Sequence, residues 1–350
     1  MLKRLPLALG LAALLAWPPS GRAARPITPP APDFPQDAIW FNAQPLSLQR
    51  LRRRRVVLTA FFSTANINSI RALQTLKAWH KNYELAGLMV VGVHTPEFPF
   101  QKDPIRVRAE LKRLGVRFPV LLDNDRRLWQ AYANDGWPAF YLIDPKGRIV
   151  FDRLGEGRYA EFEGEIRAAL DAGGFDTSGW GDKVKDPEAA GCGAMSPDSS
   201  LGANRGALID LNHQPPAKSI LVSAREGELA YKRSWDLDPD AVRLSRDNRD
   251  LSAFWRLVYR GAGAFAVLSP LGTARFYVRQ DGAWLHPDIA GRDIAFDQDG
   301  RSYVPAAEPR LFHLTRNAND DLHELSISPD RAGAAIFGFS FTDRCLPVEP

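Results

Sequence analysis

Residues 56–80, VVLTAFFSTANINSIRALQTLKAWH, constrain this chain more than any other stretch. An apolar run from Val56 to Phe62 passes through polar residues into apolar positions at Ile67, Ile70, Leu73, Leu76 and Trp79. That spacing is one face of a helix, so strand, tight turn and helix follow. Ser63, Thr64 or Asn66 stands where a side chain caps the free amides of the helix. Downstream, Gly87–Val93 (GLMVVGV) reads as a buried strand, 103–114 as a basic amphipathic helix, 118–122 as a strand and 126–132 as a short helix. Strands 139–143 and 148–152 form a hairpin around Pro145-Lys146-Gly147, and 159–170 is a closing helix. The alternation predicts a central sheet covered by helices on both faces.

With these elements placed, the segment resembles the thioredoxin superfamily, most closely the thioredoxin-like domain of DipZ-type proteins and their TlpA-like relatives. Those proteins carry Cys-x-x-Cys inside Phe-Trp-x-Tyr-Ser-Cys-Ile-Asn-Cys-Leu-Arg. The matching run here is Phe61-Phe62-Ser63-Thr64-Ala65-Asn66-Ile67-Asn68-Ser69-Ile70-Arg71. A second match is Val91-Gly92-Val93-His94-Thr95-Pro96-Glu97-Phe98. The resemblance covers about 39–172 and places Asn66 and Ser69 where both cysteines stand. Neither side chain forms a disulfide, so ordinary dithiol exchange, which needs an attacking thiolate and a resolving thiol, is not expected there. Ser69 has no evident histidine and acid nearby to activate it as a nucleophile. His94 reads as a structural loop histidine. The resemblance also implies that Pro138, after Trp137, is cis and faces the turn. Phe62, Thr64, Trp137 and Pro138 then line either a recognition groove or its vestige.

The chain has 350 residues, 45% hydrophobic and 25% charged, enough for two ordinary globular domains. Residues 1–24 read as a secretory signal: Lys3 and Arg4, an apolar run to Trp17, then Gly21, Ala23 and Ala24. Cleavage after Ala23 removes Lys3, Arg4 and Arg22 and takes the formal charge from +4 to +1. So small a charge points away from nucleic acid. Nothing in the mature chain is apolar for long enough to span a membrane. Residues 25–38, with Pro26, Pro29, Pro30, Pro32 and Pro35, read as an extended leader. The basic cluster at Arg50 and Arg52–Arg55 reads as a solvated connection or a contact for acidic surfaces.

Residues 173–217 are rich in glycine, proline, serine and charge, a long linker. From 218 to 345 short strands alternate with turns rich in Gly, Asp and Pro, at 253–259, 264–268, 274–278, 310–314, 323–327 and 335–341. Such a pattern predicts an all-β antiparallel sandwich. The segment resembles the C-terminal domain of DipZ-type proteins, a β-sandwich likened to carbohydrate-binding modules. Gly291-Arg292-Asp293-Ile294, Asp297-Gln298-Asp299-Gly300 and Glu308–Leu314 carry that match. Asp293, Asp297 and Asp299 do not fit a calcium loop, because Ala295 and Ala306 occupy positions the template needs acidic. No metal or cofactor is expected. Trp235, Trp255, Trp284, Tyr277 and Tyr303 are either core residues or platforms for sugar rings.

The chain's two cysteines, Cys192 and Cys345, lie far apart and fit neither a redox motif nor a zinc site. In an exported protein they form a structural disulfide or remain two free thiols. The function expected is an exported, periplasmic, redox-inactive thioredoxin-like protein that binds a polypeptide, a glycan or both in the cell envelope. The alternatives are a thiol–disulfide oxidoreductase working through the non-motif cysteines and a purely structural envelope protein.

Overall fold

A computed structural model of the chain describes residues 28–176, 184, 186, 192–202, 209–210, 225–227, 229–232 and 235–345. The leader expected at 1–24 lies outside them. The α/β half runs β1 (Trp40–Phe41), α1 (Leu48–Leu51), β2 (Val56–Phe62), α2 (Ile67–Tyr83), β3 (Leu88–His94), a 3₁₀ turn (Pro99–Lys102), α3 (Pro104–Arg113), β4 (Val120–Leu122), α4 (Arg127–Ala131), β5 (Ala139–Ile143), β6 (Ile149–Leu154) and α5 (Tyr159–Ala172). The sheet order is β1-β4-β3-β2-β5-β6. β2, β3 and β4 are parallel, and the rest pair antiparallel.

Local chemistry explains the central pair. All seven residues of β2 are buried, as a strand flanked on both edges and covered on both faces requires. α2 starts where Asn66 Oδ1 accepts the Ser69 amide at 2.9 Å. Its apolar face, from Ile67 to Tyr83, enters the core. Trp79 lies fully inside, 5.5 Å from the Phe162 ring, and its indole N–H donates to Glu163. Glu163 also accepts from the Tyr83 hydroxyl and from Arg167. Burial alone would raise the Glu163 carboxyl; these donors outweigh it and hold the group below its ordinary value.

The described part of the proline-rich stretch, 28–38, is not a free leader. Ala31 donates to the Gly147 carbonyl, Ile149 donates to Pro29, and Phe34 is buried. The edge of β6 offers unpaired backbone groups, and an extended segment satisfies them whatever its side chains.

The second half holds β7 (Ser199–Ser200), β8 (Ile209–Asp210), β9 (Leu229–Lys232), β10 (Trp235–Leu237), β11 (Val242–Leu244), β12 (Phe254–Arg260), β13 (Gly263–Ser269), β14 (Ala274–Gln280), β15 (Ala283–Trp284), β16 (Ala295–Phe296), β17 (Ser302–Ala306), β18 (Arg310–Arg316), β19 (Leu322–Pro329) and β20 (Ala335–Thr342). One sheet runs β10-β11-β20-β13-β18 with β7 on β20; the other runs β16-β17-β14-β19-β12-β9-β8 with β15 on β14. Side chains of both meet in one core that includes Trp255, Tyr259, Phe276, Ala266 and Phe312. Two features depart from the sequence reading. β8 and β9 are parallel, so the sheets are not wholly antiparallel. β7 and β8 fall inside the stretch read as linker, because β7 pairs with β20 and β8 with β9 through backbone groups, which needs no apolar period.

The first sheet is buried on both faces. Ala264, Ala266 and Leu268 face the other sheet, whereas Phe265, Val267, Leu311, Ala335 and Phe337 belong to a core shared with the α/β half. Phe337 sits 5.1 Å from the Phe98 ring and 5.4 Å from Phe100, and Arg106 pairs with Glu308 across the same junction.

Two substitutions test this account of stability. Trp79→Ala is expected to cost about 3–5 kcal/mol by opening a cavity and removing one of the donors to Glu163. Asn66→Ala, which removes only a cap, is expected to cost about 1 kcal/mol. Both are read from the denaturant midpoint at unchanged slope.

Candidate functional site

The candidate site is the turn that joins β2 to α2. Its side chains form one buried hydrogen-bonded cluster. The Ser63 amide donates to Ser69 Oγ at 3.2 Å, and the Ala65 amide donates to Ser63 Oγ at 3.2 Å. Gln101, from the 3₁₀ turn, donates through Nε2 to Ser63 Oγ and Thr64 Oγ1, each at 3.0 Å. Its Oε1 accepts the amides of Glu97 and Phe98, each at 3.0 Å. Thr64 Oγ1 lies 3.2 Å from His94 Nε2. Ser63, Ser69 and His94 are wholly inaccessible, and Asn66 is only 8% exposed.

Two of the residues in this cluster were not singled out by sequence reasoning for what they do here. Gln101 is the hub, and no local signal marks it: it becomes important only because the loop after β3 folds back over the turn. His94 was read as a structural loop residue; it closes β3, edge-on to the Phe62 ring at 5.5 Å. Burial drives its imidazole down to about 3, so the ring is neutral at physiological pH. Its Nδ1 has no hydrogen-bond partner among the described residues.

Phe62, Thr64, Trp137 and Pro138, read as lining either a recognition groove or its vestige, come together beside the turn and are largely covered. The Trp137–Pro138 peptide is cis. Phe62, Thr64 and Pro138 are buried, and only Trp137 is half-exposed. The Pro138 carbonyl already accepts the Gly155 amide at 2.7 Å. The loop that supplies Gly155 is tied to α2 by a buried two-point contact of Arg71 with Glu156. Trp137 packs against Trp129 at 4.5 Å with the rings tilted by 49°, and the Arg126 guanidinium lies over both rings. Beside this pair, where the two halves meet, lies an open cleft of about 430 Å³. Glu97, Lys102, Asp125, Arg126 and Asp240 line it with both signs of charge.

The chain's two cysteines lie outside this cluster. Cys192 and Cys345 are joined in a disulfide with their Cα atoms 5.3 Å apart. On the sandwich, Trp255 is a core residue, not a platform. Trp284, Tyr303 and Tyr277 each carry a guanidinium over the ring, from Arg279, Arg275 and Arg301, at 4.0, 4.8 and 5.4 Å. Asp297 closes its own turn by accepting the Asp299 and Arg301 amides, and Asp293 accepts from Arg310 and from the His313 amide.

Residues 27–151 match the AhpC/TSA family. Protein DipZ of Mycobacterium tuberculosis is 39% identical over 143 residues, which is 40% of this chain and 20% of that protein. The chain thus spans about a fifth of the length of that relative. The thiol-disulfide oxidoreductase YkuV of Bacillus subtilis is 24% identical over 141 residues, 40% of this chain and 94% of YkuV. A solved thiol-disulfide isomerase of Corynebacterium glutamicum aligns with 40% of this chain and 96% of its own, at 25% identity and a TM-score of 0.36. The α/β half of this chain has a thioredoxin-like fold, and residues 27–151 are similar to the AhpC/TSA family.

Proposed function

We propose that this is an exported, redox-inactive thioredoxin-like protein that works as a binding or adaptor module of the bacterial cell envelope, in the periplasm. One observation carries the reading. At the head of α2 stand Asn66, engaged in capping, and Ser69, engaged with Ser63, and the chain's two cysteines, at 192 and 345, are bonded to each other. Dithiol exchange requires a thiolate placed to attack and a second thiol placed to resolve, and neither stands at this turn. The secretory pattern of residues 1–24 supports export, and a disulfide accords with an oxidising compartment. Among the described residues no helix is long and apolar enough to cross a membrane.

The partner in this reading is a polypeptide, a glycan, or both. For a polypeptide, the mixed-charge cleft beside Trp137 is the accessible surface, because the groove residues themselves are covered. For a glycan, the sandwich is the surface, with Trp284 and Tyr303 its half-exposed rings. No nucleic acid and no cofactor enters the reading.

A second reading is a thiol–disulfide oxidoreductase that uses Cys192 and Cys345. Its support is kinship with YkuV and with the thiol-disulfide oxidoreductase ResA of Bacillus subtilis, 35% identical over 71 residues. The two readings separate in one assay. With dithiothreitol as the reductant, the wild-type protein is expected to reduce insulin no faster than the reductant alone. Turnover above that blank, abolished by Cys192→Ser, would establish the oxidoreductase. In parallel, the full chain is titrated with envelope glycans and peptidoglycan fragments and followed by thermal shift. Saturable stabilisation by one sugar class is the expected sign of a targeting module. A flat panel sends the search to polypeptides at the cleft, and absence of any capture there as well leaves a purely structural envelope protein.

A further inference from the structure

The outer face of the second sheet carries arginines seated on aromatic rings. On β14, Ala274, Phe276 and Val278 enter the core, so Arg275, Tyr277 and Arg279 face outward. Register sets their neighbours. Tyr303 and Ser328 stand on either side of Tyr277, and Trp284 and Ser326 on either side of Arg279. The Arg279 guanidinium lies 4.0 Å over the Trp284 ring, and that of Arg275 lies 4.8 Å over Tyr303. Their Cα atoms are about 13 Å apart along one strand.

These two cations differ from others on the same domain. Arg256, Arg301 and Arg310 each have a carboxylate beside them, from Glu324, Asp297 and Asp293. Arg275 and Arg279 have none within ion-pair distance among the described residues. A ring under a guanidinium holds it without neutralising it. A cation already held loses less freedom when it takes an anion. Both arginines are exposed and both rings half-buried, so the rings are seats and the surface on offer is cationic.

The row runs into an open cavity of about 250 Å³ that Tyr277 shares with Arg249, Arg331, Asp247 and Asp330. Its lining mixes both signs of charge. Carboxylates there repel a densely charged polymer such as a nucleic acid, yet they accept well from hydroxyls. Ser326 and Ser328, beside the arginines, add hydroxyls that both donate and accept. A chain rich in hydroxyls with carboxylates at intervals matches this set.

We propose that the outer face of the second sheet binds an acidic polysaccharide of the uronic-acid type. Its carboxylates pair with Arg275 and Arg279, each through two parallel N–H···O bonds, and its hydroxyls meet Ser326, Ser328 and the cavity beside Tyr277. The inference rests on the glycan arm of the proposed function and names the ligand class.

Isothermal titration of the full chain with polygalacturonate tests this, beside the same polymer with its carboxyls reduced to alcohols. Saturable binding of the acidic polymer is expected, and carboxyl reduction is expected to weaken it more than about 10-fold. The double variant Arg275→Gln with Arg279→Gln is expected to lose more than about 10-fold in affinity at an unchanged melting temperature. Arg54→Gln, in the basic cluster before β2, is expected to keep full affinity. Equal binding of the reduced polymer, or full affinity in the double variant, overturns the proposal and leaves the glycan reading standing. A loss in Arg54→Gln as large as in the double variant moves the site off the sandwich and overturns it as well. So does equally tight binding of a single-stranded oligonucleotide or of anionic lipid vesicles. If neither polymer binds, the proposal falls, and the glycan reading falls with it only when the whole glycan panel is flat. Should the double variant fail to fold, the contrast between the two polymers still decides.

Discussion

Burying polar groups at a helix start sets the terms for the rest of this molecule. A polar side chain removed from water needs a partner, and an unmet one costs about 1–3 kcal/mol. At the head of α2 that demand falls on Ser63, Thr64, Asn66 and Ser69 together. Asn66 and Ser69 meet part of it within the turn, and Gln101 meets much of the rest from a loop more than thirty residues on. The loop after β3 therefore has to lie flat over the turn. Once it does, its own rings, Phe98 and Phe100, form an apolar step on which something else has to rest.

The sandwich supplies that surface, and its first sheet has the composition for it. An ordinary antiparallel sheet alternates one apolar and one polar face. β13 and β20 are buried almost throughout, with Phe265, Val267 and Phe337 turned toward the α/β half and Ala264, Ala266 and Phe339 toward the second sheet. The two halves thus share a core beside the loop that covers the turn. The Arg71–Glu156 contact and the Gly155 amide on Pro138 cover the turn from the other side.

Much of the fold was legible. The helical spacing of α2, the Pro-Lys-Gly hairpin and the short strands of the second half all appear close to where local pattern places them, because each rests on interactions between near neighbours. The candidate site was legible as a location, not as a state. Phe62, Thr64 and Pro138 stand at the expected turn and cis bond, yet they are covered. Thr64 is met by Gln101 and the Pro138 carbonyl by Gly155, residues distant in sequence whose types carry no local sign of the role. β7 was missed for a similar reason: Ser199 and Ser200 have no apolar period, and their strand exists through the exposed edge of β20.

By itself, the sequence determined that a strand, a capped turn and an amphipathic helix begin the first domain, and that no thiol stands at residues 66 and 69. It also determined that the chain's two cysteines stand far outside that turn. These are matters of residue identity and of contacts within a few positions, where side-chain volume and hydrogen-bonding capacity act directly. Only the tertiary structure decided whether the turn is open, what answers its polar groups, and that His94 is held away from water. Those depend on which distant surfaces meet, and burial is a property of that meeting rather than of any one residue.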